Sequence, residues 1–398
     1  MKLKITDDSI IVLIYILSNM MIIGQLFGIH AVTSIAYALS FVAVFGIWCL
    51  QLKEFRVLDL VSLIIIALSF ISTLITCTSF SVNYFTNWLI FSFVFLYFPV
   101  CLKIRVNTQT VGSIFKINTV VIVLCCVAYV FRYKDAFYVT FSGVRYLNFD
   151  FYNPNCLALF LVCIAITGIL ANSFSERFQL CKQILTIGLF AILIAQTLSR
   201  TVLIAFLCFV AIYLVFKRKQ ICYLPQGTAF KFIVSAFPLI FAFVYMVTID
   251  ILANNDIFSF LISEGKEIDS RQLVWEYAFD LFKKSPFLGS YNELIQSSIA
   301  KQVHNSHLNV LASYGFVTFI LVVLFLFLVI TEAIQNSKKT KMELSSWAFI
   351  VCLLLGCGES ILFSGGLSFY LLVGQFLLFT NINTDDGSEL ICGITSKK

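Results

Sequence analysis

Apolar stretches of spanning length recur along almost the whole chain, separated by short polar turns. A helix that crosses the hydrocarbon core of a bilayer needs about 20 mostly apolar residues. On that template the pattern predicts about twelve transmembrane helices, near 10–28, 31–50, 58–77, 85–102, 113–131, 154–171, 183–198, 200–216, 231–250, 307–330, 344–363 and 365–380. Two polar interruptions are long, at 132–153 and 251–306. Loops of that size are uncommon without a task. The second has a period of its own. In "DSRQLVWEYAFDLFKKSPFLGS" the residues Leu273, Val274, Tyr277, Ala278, Leu281 and Phe282 recur close to every fourth position. This predicts an amphipathic helix near 270–284 that lies on the outer membrane surface. Asp269 and Gln272 would form its capping box, with Arg271 in the first turn and Trp275 and Tyr277 at the membrane interface. Pro286 and Gly289 would stop it.

Composition sharpens this into a fold class. The chain is 60% hydrophobic and 12% charged, with a mean hydropathy of +0.96. Soluble domains carry about 25% charged residues, so an ordinary soluble protein is excluded. The expectation is one polytopic, all-α integral membrane domain over 1–398, with a first outer loop at 132–153 and a second, catalytic one at 251–306. Thirteen cysteines change little. Cys49, Cys125, Cys126, Cys163, Cys208 and Cys352 lie inside apolar runs and no C-x-x-C pair occurs, so they read as small packing residues. Cys77 and Cys156, predicted near one membrane face, are the candidate pair for a bridge. Lys2 and Lys4 precede an apolar run long enough to span, which predicts a retained first helix rather than a cleaved signal.

Charge sets the expected orientation. With the N-terminus in the cytoplasm, the inner segments hold Lys2, Lys4, Lys53, Arg56, Lys103, Arg105, Lys116, Arg177, Lys182, Lys217, Arg218, Lys219, Lys231, Lys338, Lys339, Lys341, Lys397 and Lys398. The short outer turns hold only Arg200. This bias predicts an even helix count with both termini inside. The remaining basic residues, Arg145 and Arg271 among them, fall in the two long outer loops.

The outer face therefore carries the candidate chemistry. A guanidinium stays charged and donates two parallel hydrogen bonds, which suits phosphate. Arg200 lies in a tight turn between two spanning helices, where a charge is costly unless it meets a cavity, a head group or a partner. Snorkelling to the interface is the plain alternative. Besides a phosphate contact, Arg145 in "GVRYLNFDFYNPN" reads equally well as an ordinary loop charge, and Arg271 as a partner of Glu267 or Asp269. His304 and His307 are three residues apart and share a helix face. An imidazole there could take a proton from a sugar hydroxyl or, when protonated, stabilise a phosphate. A capping role is the alternative for either. Glu359, in "GCGESILFSGG", is a candidate buried acid or a local hydrogen-bond partner. The carboxylates of "EID" (Glu267–Asp269) resemble a metal-binding spacing, but a solvated loop is the better reading and no metal is expected. No Gly-rich phosphate loop or paired Cys/His cluster is present, so no cofactor is expected.

Together these segments resemble the O-antigen polymerase and O-antigen ligase superfamily. The resemblance rests on "SRQLVWEYAFDLFKKSPFLGSY…VHNSHLNVLASYG", through Arg271, Trp275, Pro286, Gly289, His304, Asn305, Leu308 and Gly315. "LSRTVLIAFL", with Arg200, and "VRYLNFDFYNPNCLALFL", with Arg145 and Asn155, extend it upstream. The chain departs from the family's Gly-x-Gly after the proline, where it has "LGSY". The resemblance implies the fold of the membrane-embedded C-type glycosyltransferases. It implies that Arg200 and Arg271 contact the diphosphate of an undecaprenyl-linked oligosaccharide. Arg145, Asn155, Asn305, His307 and Glu359 would line the same cavity. His304 would activate the acceptor hydroxyl or stabilise the departing diphosphate.

The implied partners are undecaprenyl-diphosphate-linked donor and acceptor, membrane lipid and a chain-length regulator, with no nucleic acid. The implied location is the bacterial inner membrane, with the active site on the periplasmic side. Within that frame the expected function is a polymerase of lipid-linked repeat units, and a ligase that moves finished glycan to lipid A-core is the alternative. A precursor transporter is the reading from another class. It is disfavoured because the charges cluster in the outer loops rather than near the bilayer midplane.

Overall fold

A computed structural model describes residues 7–77, 82–133, 137–139, 143, 145–149, 154–172, 179–219, 224–253, 266–297, 303–340, 342–358 and 367–382. Each predicted apolar stretch contains a helix, although that at 344–363 is α-helical only over Glu343–Leu354 and its residues 359–363 lie outside the described residues. In chain order the helices are α1 (Asp7–Leu26), α2 (His30–Leu50), α3 (Val57–Thr76), α4 (Val82–Lys103), α5 (Thr108–Phe131), α6 (Pro154–Asn172), α7 (Gln179–Gln196), α8 (Arg200–Lys219) and α9 (Thr228–Ala253). Within the second long loop lie α10 (Lys266–Lys284) and the short α11 (Tyr291–Gln296). Then come α12 (Ser306–Thr340), α13 (Glu343–Leu354) and α14 (Leu367–Phe379). Among the described residues, 7 helices are long and apolar enough to cross a membrane. The stretches within α1, α6, α7, α13 and α14 are apolar but shorter. The chain is an all-α, multi-pass membrane protein, relieved by one small hairpin.

Why this set of helices needs a bilayer follows from its two kinds of apolar surface. The centre is built from α4, α6, α12 and α14, whose side chains are buried almost without a break from Phe91 to Leu102, from Leu157 to Leu170 and from Phe369 to Phe379. The rim helices keep an apolar face outward: Leu180, Ile184, Leu185 and Ile192 on α7, and Phe232, Ile233, Phe243, Val244 and Val247 on α9. Water would not tolerate so large a patch. Lipid does, and the helices satisfy their own backbone groups inside it.

Opposite charges gather at one end of the bundle. Lys103, the last residue of α4, donates from Nζ to Asp59 Oδ1 at 2.8 Å, with both side chains deeply buried. Asp59 Oδ2 accepts the backbone N–H of Arg56. Arg56 Nη1 reaches Glu332 Oε2 of α12 at 2.7 Å. The other end of α3 lies about 20 Å away, at 1.5 Å per residue. There Ser72 donates to the carbonyl of Leu288 and sits 3.5 Å from that of Ser313.

That second end holds an interruption. At Gly315 the backbone of α12 leaves the helical region, with φ +79° and ψ 179°. The Pro286–Ser290 turn docks against the break. Phe316 N–H donates to the Pro286 carbonyl at 2.7 Å, and Ser290 N–H to the Ala312 carbonyl at 2.7 Å. Gly289 also has a left-handed backbone, φ +72°. A Cβ on Gly289 would sit 2.3 Å from the Ser313 carbonyl, and one on Gly315 would sit 2.3 Å from the Phe287 carbonyl. Two main chains thus touch with no room for a side chain at either position.

Several expectations are corrected here. The helix in the second loop begins at Lys266, so Arg271 falls in its second turn and Asp269 lies within the helix rather than capping it. Trp275 does not face outward. It is buried together with Ala278 and Leu281, on the side that faces α12, while Leu273 is exposed. Cys77 and Cys156 are both free thiols. In the first outer loop, Phe137–Val139 (β1) and Arg145–Leu147 (β2) pair as an antiparallel hairpin that the helical periodicity did not announce.

Candidate functional site

The motif residues of the second loop converge at the end of the bundle that carries the Gly315 break. Trp275 donates from Nε1 to the carbonyl of Val303 at 2.7 Å. This ties α10 to the residue before His304, one helical turn beyond Arg271. Its ring packs edge-on against Tyr245 of α9, at 5.1 Å between centroids. His304 is half-buried and adopts a left-handed backbone, φ +52°.

Asn305 makes the next connection. Its Oδ1 caps α12 by accepting from Leu308 N–H at 2.9 Å and His307 N–H at 3.2 Å. Its Nδ2 donates to the Pro238 carbonyl at 2.7 Å and the Cys357 carbonyl at 3.1 Å. All four hydrogen-bonding positions of this buried amide are thus used within the protein. His307 is fully buried and donates from Nε2 to the Ser235 carbonyl at 2.6 Å. Both side chains anchor α12 to α9 in the stretch where Pro238 removes an N–H from the helical ladder.

From Cys357 the path leads to the arginines. A Cβ on the neighbouring Gly358 would lie 3.0 Å from Thr201 Oγ1 and 3.4 Å from Arg271 Nη1. Gly358 is therefore where the first turn of α8, which opens with Arg200, meets the Arg271 guanidinium. Arg271 is half-buried and Arg200 exposed. Arg271 and His304 are joined twice, through Trp275–Val303 and through Gly358–Cys357–Asn305. The first turn of α8, the Arg271 guanidinium and, through Asn305, the start of α12 thus meet around Cys357 and Gly358.

The other predicted residues stand apart from this ring or outside it. Arg145 is exposed on β2, its guanidinium 4.2 Å from the centroid of Phe137 and 5.4 Å from that of Tyr133. The strand itself packs on α7, the helix that leads to Arg200. Asn155 is half-buried in the first turn of α6, behind Pro154. Glu359, and the side chains of Glu267 and Asp269, lie outside the described residues. No group of three or more metal-ligating side chains occurs among the described residues.

Backbone strain marks the same region. Among the described residues, the non-glycine positions with left-handed φ are Phe149, Leu198 and His304. Leu198 lies two residues before Arg200, and Phe149 lies between Arg145 and Asn155. Such positions cost free energy and persist where surrounding structure holds them, which is characteristic of working loops. Thr201, Trp275 and Gly358 were not singled out as site residues from sequence. Only Trp275 carried a signal, as part of the motif.

Residues 185–323 match the family model of the O-antigen ligase domain, Wzy_C. The resemblance to polysaccharide polymerases and ligases therefore holds over this stretch, about a third of the chain. The matched stretch encloses Arg200, Arg271, Trp275, Gly289, His304, Asn305, His307 and Gly315, and stops short of Gly358. Arg145 and Asn155 precede it. Members of the matched family are described as membrane glycosyl-transfer enzymes of the ligase or polymerase type. No curated protein matches the chain.

Proposed function

We propose that the protein is a glycan polymerase that joins undecaprenyl-diphosphate-linked repeat units at the outer leaflet of the bacterial inner membrane. The observation that carries this reading is the convergence of Arg271 and the Arg200-bearing start of α8 at Gly358, one connection away from His304. In the reaction the bond between the donor's anomeric carbon and its diphosphate oxygen breaks. A hydroxyl of the acceptor sugar forms the new bond and releases its proton to His304. Arg200 and Arg271 hold the diphosphate by their planar forks and stabilise the charge it gains as it leaves. The energy comes from the glycosyl–diphosphate bond of the lipid-linked donor, so no nucleotide is required.

In this reading Asn305 and His307 are scaffold that fixes the loop, not ligands of the sugar. Arg145, Asn155 and Glu359 contribute to binding the substrate. The site faces the periplasm and both termini face the cytoplasm, in keeping with the distribution of Lys and Arg. The decisive experiment incubates purified protein with a synthetic undecaprenyl-diphosphate repeat unit and resolves the products on a gel. A ladder of lengths is the expected result, and a single band at the starting mass overturns the proposal.

A ligase is the second reading, favoured by the description of the matched domain. Gene deletion separates the two. Loss of a polymerase leaves single repeats on the lipid A-core, whereas loss of a ligase leaves the core bare.

A further inference from the structure

Trp275 is placed to do more than fill space. It is 1% exposed, and its indole N–H is directed at the Val303 carbonyl. Val303 is itself fully buried. The next residue, His304, holds a left-handed φ without being glycine. A backbone of that kind relaxes unless its flanking peptides are gripped. The peptide before His304 is gripped by Trp275 from α10. The residue after it is Asn305, whose side chain reaches α9 and the Cys357 carbonyl.

The element that presents Trp275 is also fixed at its far end. Ser290 Oγ donates to the Leu281 carbonyl at 3.2 Å, closing the turn on α10. The same turn is bonded to Ala312 and Phe316 across the Gly315 break. α10 and the segment Ser306–Tyr314 are therefore braced at both ends, with Trp275 as the brace nearest the histidine. Arg271 is four residues, about one helical turn, before Trp275 on the same helix. One rigid element thus carries the guanidinium and sets the backbone of the imidazole.

We propose that Trp275 is a positioning residue: through its hydrogen bond to the Val303 carbonyl it fixes the His304 loop at a set distance from Arg271, so that proton transfer and diphosphate release occur in one geometry. This rests on the assignment of His304 to the acceptor hydroxyl made above. Mutations that shift a reacting group by about 1 Å can cost on the order of 100-fold in rate while leaving ground-state binding intact.

The test uses the full-length protein in lipid nanodiscs with a synthetic undecaprenyl-diphosphate repeat unit. Trp275→Phe keeps an aromatic ring and removes the donor. The expected result is a kcat per folded molecule lower by about 10–100-fold and a donor KM within about twofold, with an unfolding midpoint that falls, because the buried ring is smaller and the Val303 carbonyl loses its donor, but stays above the assay temperature. An unchanged kcat overturns the proposal, as does a loss that merely follows the fraction of folded protein. If the phenylalanine variant does not fold, 3-benzothienylalanine at position 275 keeps the indole's shape without the N–H, and the same outcomes apply. Where His304→Gln leaves measurable turnover, combining it with Trp275→Phe should cost no more than the larger single effect. Multiplying costs would show that Trp275 acts elsewhere. Full turnover in His304→Gln removes the assignment of the histidine itself. Impairment there with normal Trp275 variants removes only the positioning role.

Discussion

The two ends of the bundle treat charge in different ways. At one end Arg56 and Lys103 meet Asp59 and Glu332, two cations against two anions, at 2.7 and 2.8 Å. At the other end the Arg271 guanidinium meets the first turn of α8, which opens with Arg200, beside Gly358, and the ion pairs Lys283–Asp280 and Lys284–Glu293 are exposed. Paired opposite charges tie α3, α4 and α12 together and ask for nothing from outside. At the second end we propose that Arg200 and Arg271 take the diphosphate, whose negative charge they would stabilise. Substitutions at the two ends should therefore damage different properties.

The largest effect is expected at the paired end. Asp59→Ala leaves the Lys103 ammonium buried, with its side chain 3% exposed. Removing one partner of a buried pair costs roughly 3–5 kcal/mol. Thermal unfolding of the purified protein should show a large drop, with glycan coupling per folded molecule unchanged. Replacing both members, Asp59→Leu with Lys103→Met, should restore most of the stability, because no charge is then stranded. A double variant no better than the single one would mean that the pair orients something further.

Next in size are the arginines, and here the damaged property reverses. Arg271→Ala or Arg200→Ala should lower coupling by about 10²–10³-fold, the scale set by losing one preorganised charge partner of a transition state. The unfolding midpoint should barely move. Lysine at either position should rescue poorly, since it offers a point charge in place of a fork. Wild-type ladder length in either alanine variant would detach that residue from the site. Gly315→Ala follows. A side chain there is strained by φ and would collide with the Phe287 carbonyl, at 2.3 Å from the new Cβ. A loss of roughly 1–3 kcal/mol is expected, together with reduced coupling, because the clamp that braces α10 is opened. Loss of stability with undiminished coupling would separate the clamp from the site.

How far the sequence carried the argument differs between fold and site. Hydropathy placed the apolar helices because lipid imposes one chemistry on them all, but it read the shorter ones, such as α13 with 12 residues, as full spans. It ended α12 at Ile330, whereas the helix continues to Thr340. The added segment "TEAIQNSKKT" is polar, so it left no trace in a hydropathy profile, although most of its residues are sound helix formers. For the site, Arg271, His304 and Gly315 were visible as a motif. The backbone contact that Gly289 and Gly315 permit was not, because glycine spacing does not reveal which main chain will approach. Trp275 was assigned to the interface on residue type alone. Its actual partner, the Val303 carbonyl, lies 28 residues away, beyond the reach of any local pattern. Gly358 had no signal, since its meaning depends on two elements from elsewhere in the chain. Asn305 looked like a ligand in sequence because a buried cap and a ligand use the same amide.

The smallest predicted effect is the most discriminating for the comparison of the two ends. The Arg56–Glu332 pair has the same bond length class as Lys103–Asp59, but its side chains are 35% and 23% exposed. Water screens such a pair, and exposed ion pairs contribute about 0–1 kcal/mol. Glu332→Gln should therefore shift the unfolding midpoint only slightly and leave the glycan ladder as it is. It also keeps a hydrogen-bond acceptor opposite Arg56, so the guanidinium is not stranded. A loss as large as that of Asp59→Ala would mean that the four charges act as one coupled network rather than as a buried pair with a weak neighbour. A change in ladder length without a change in stability would mean that this end of α12 communicates with the Gly315 break some 17 residues away, and the division between a structural end and a chemical end would have to be given up.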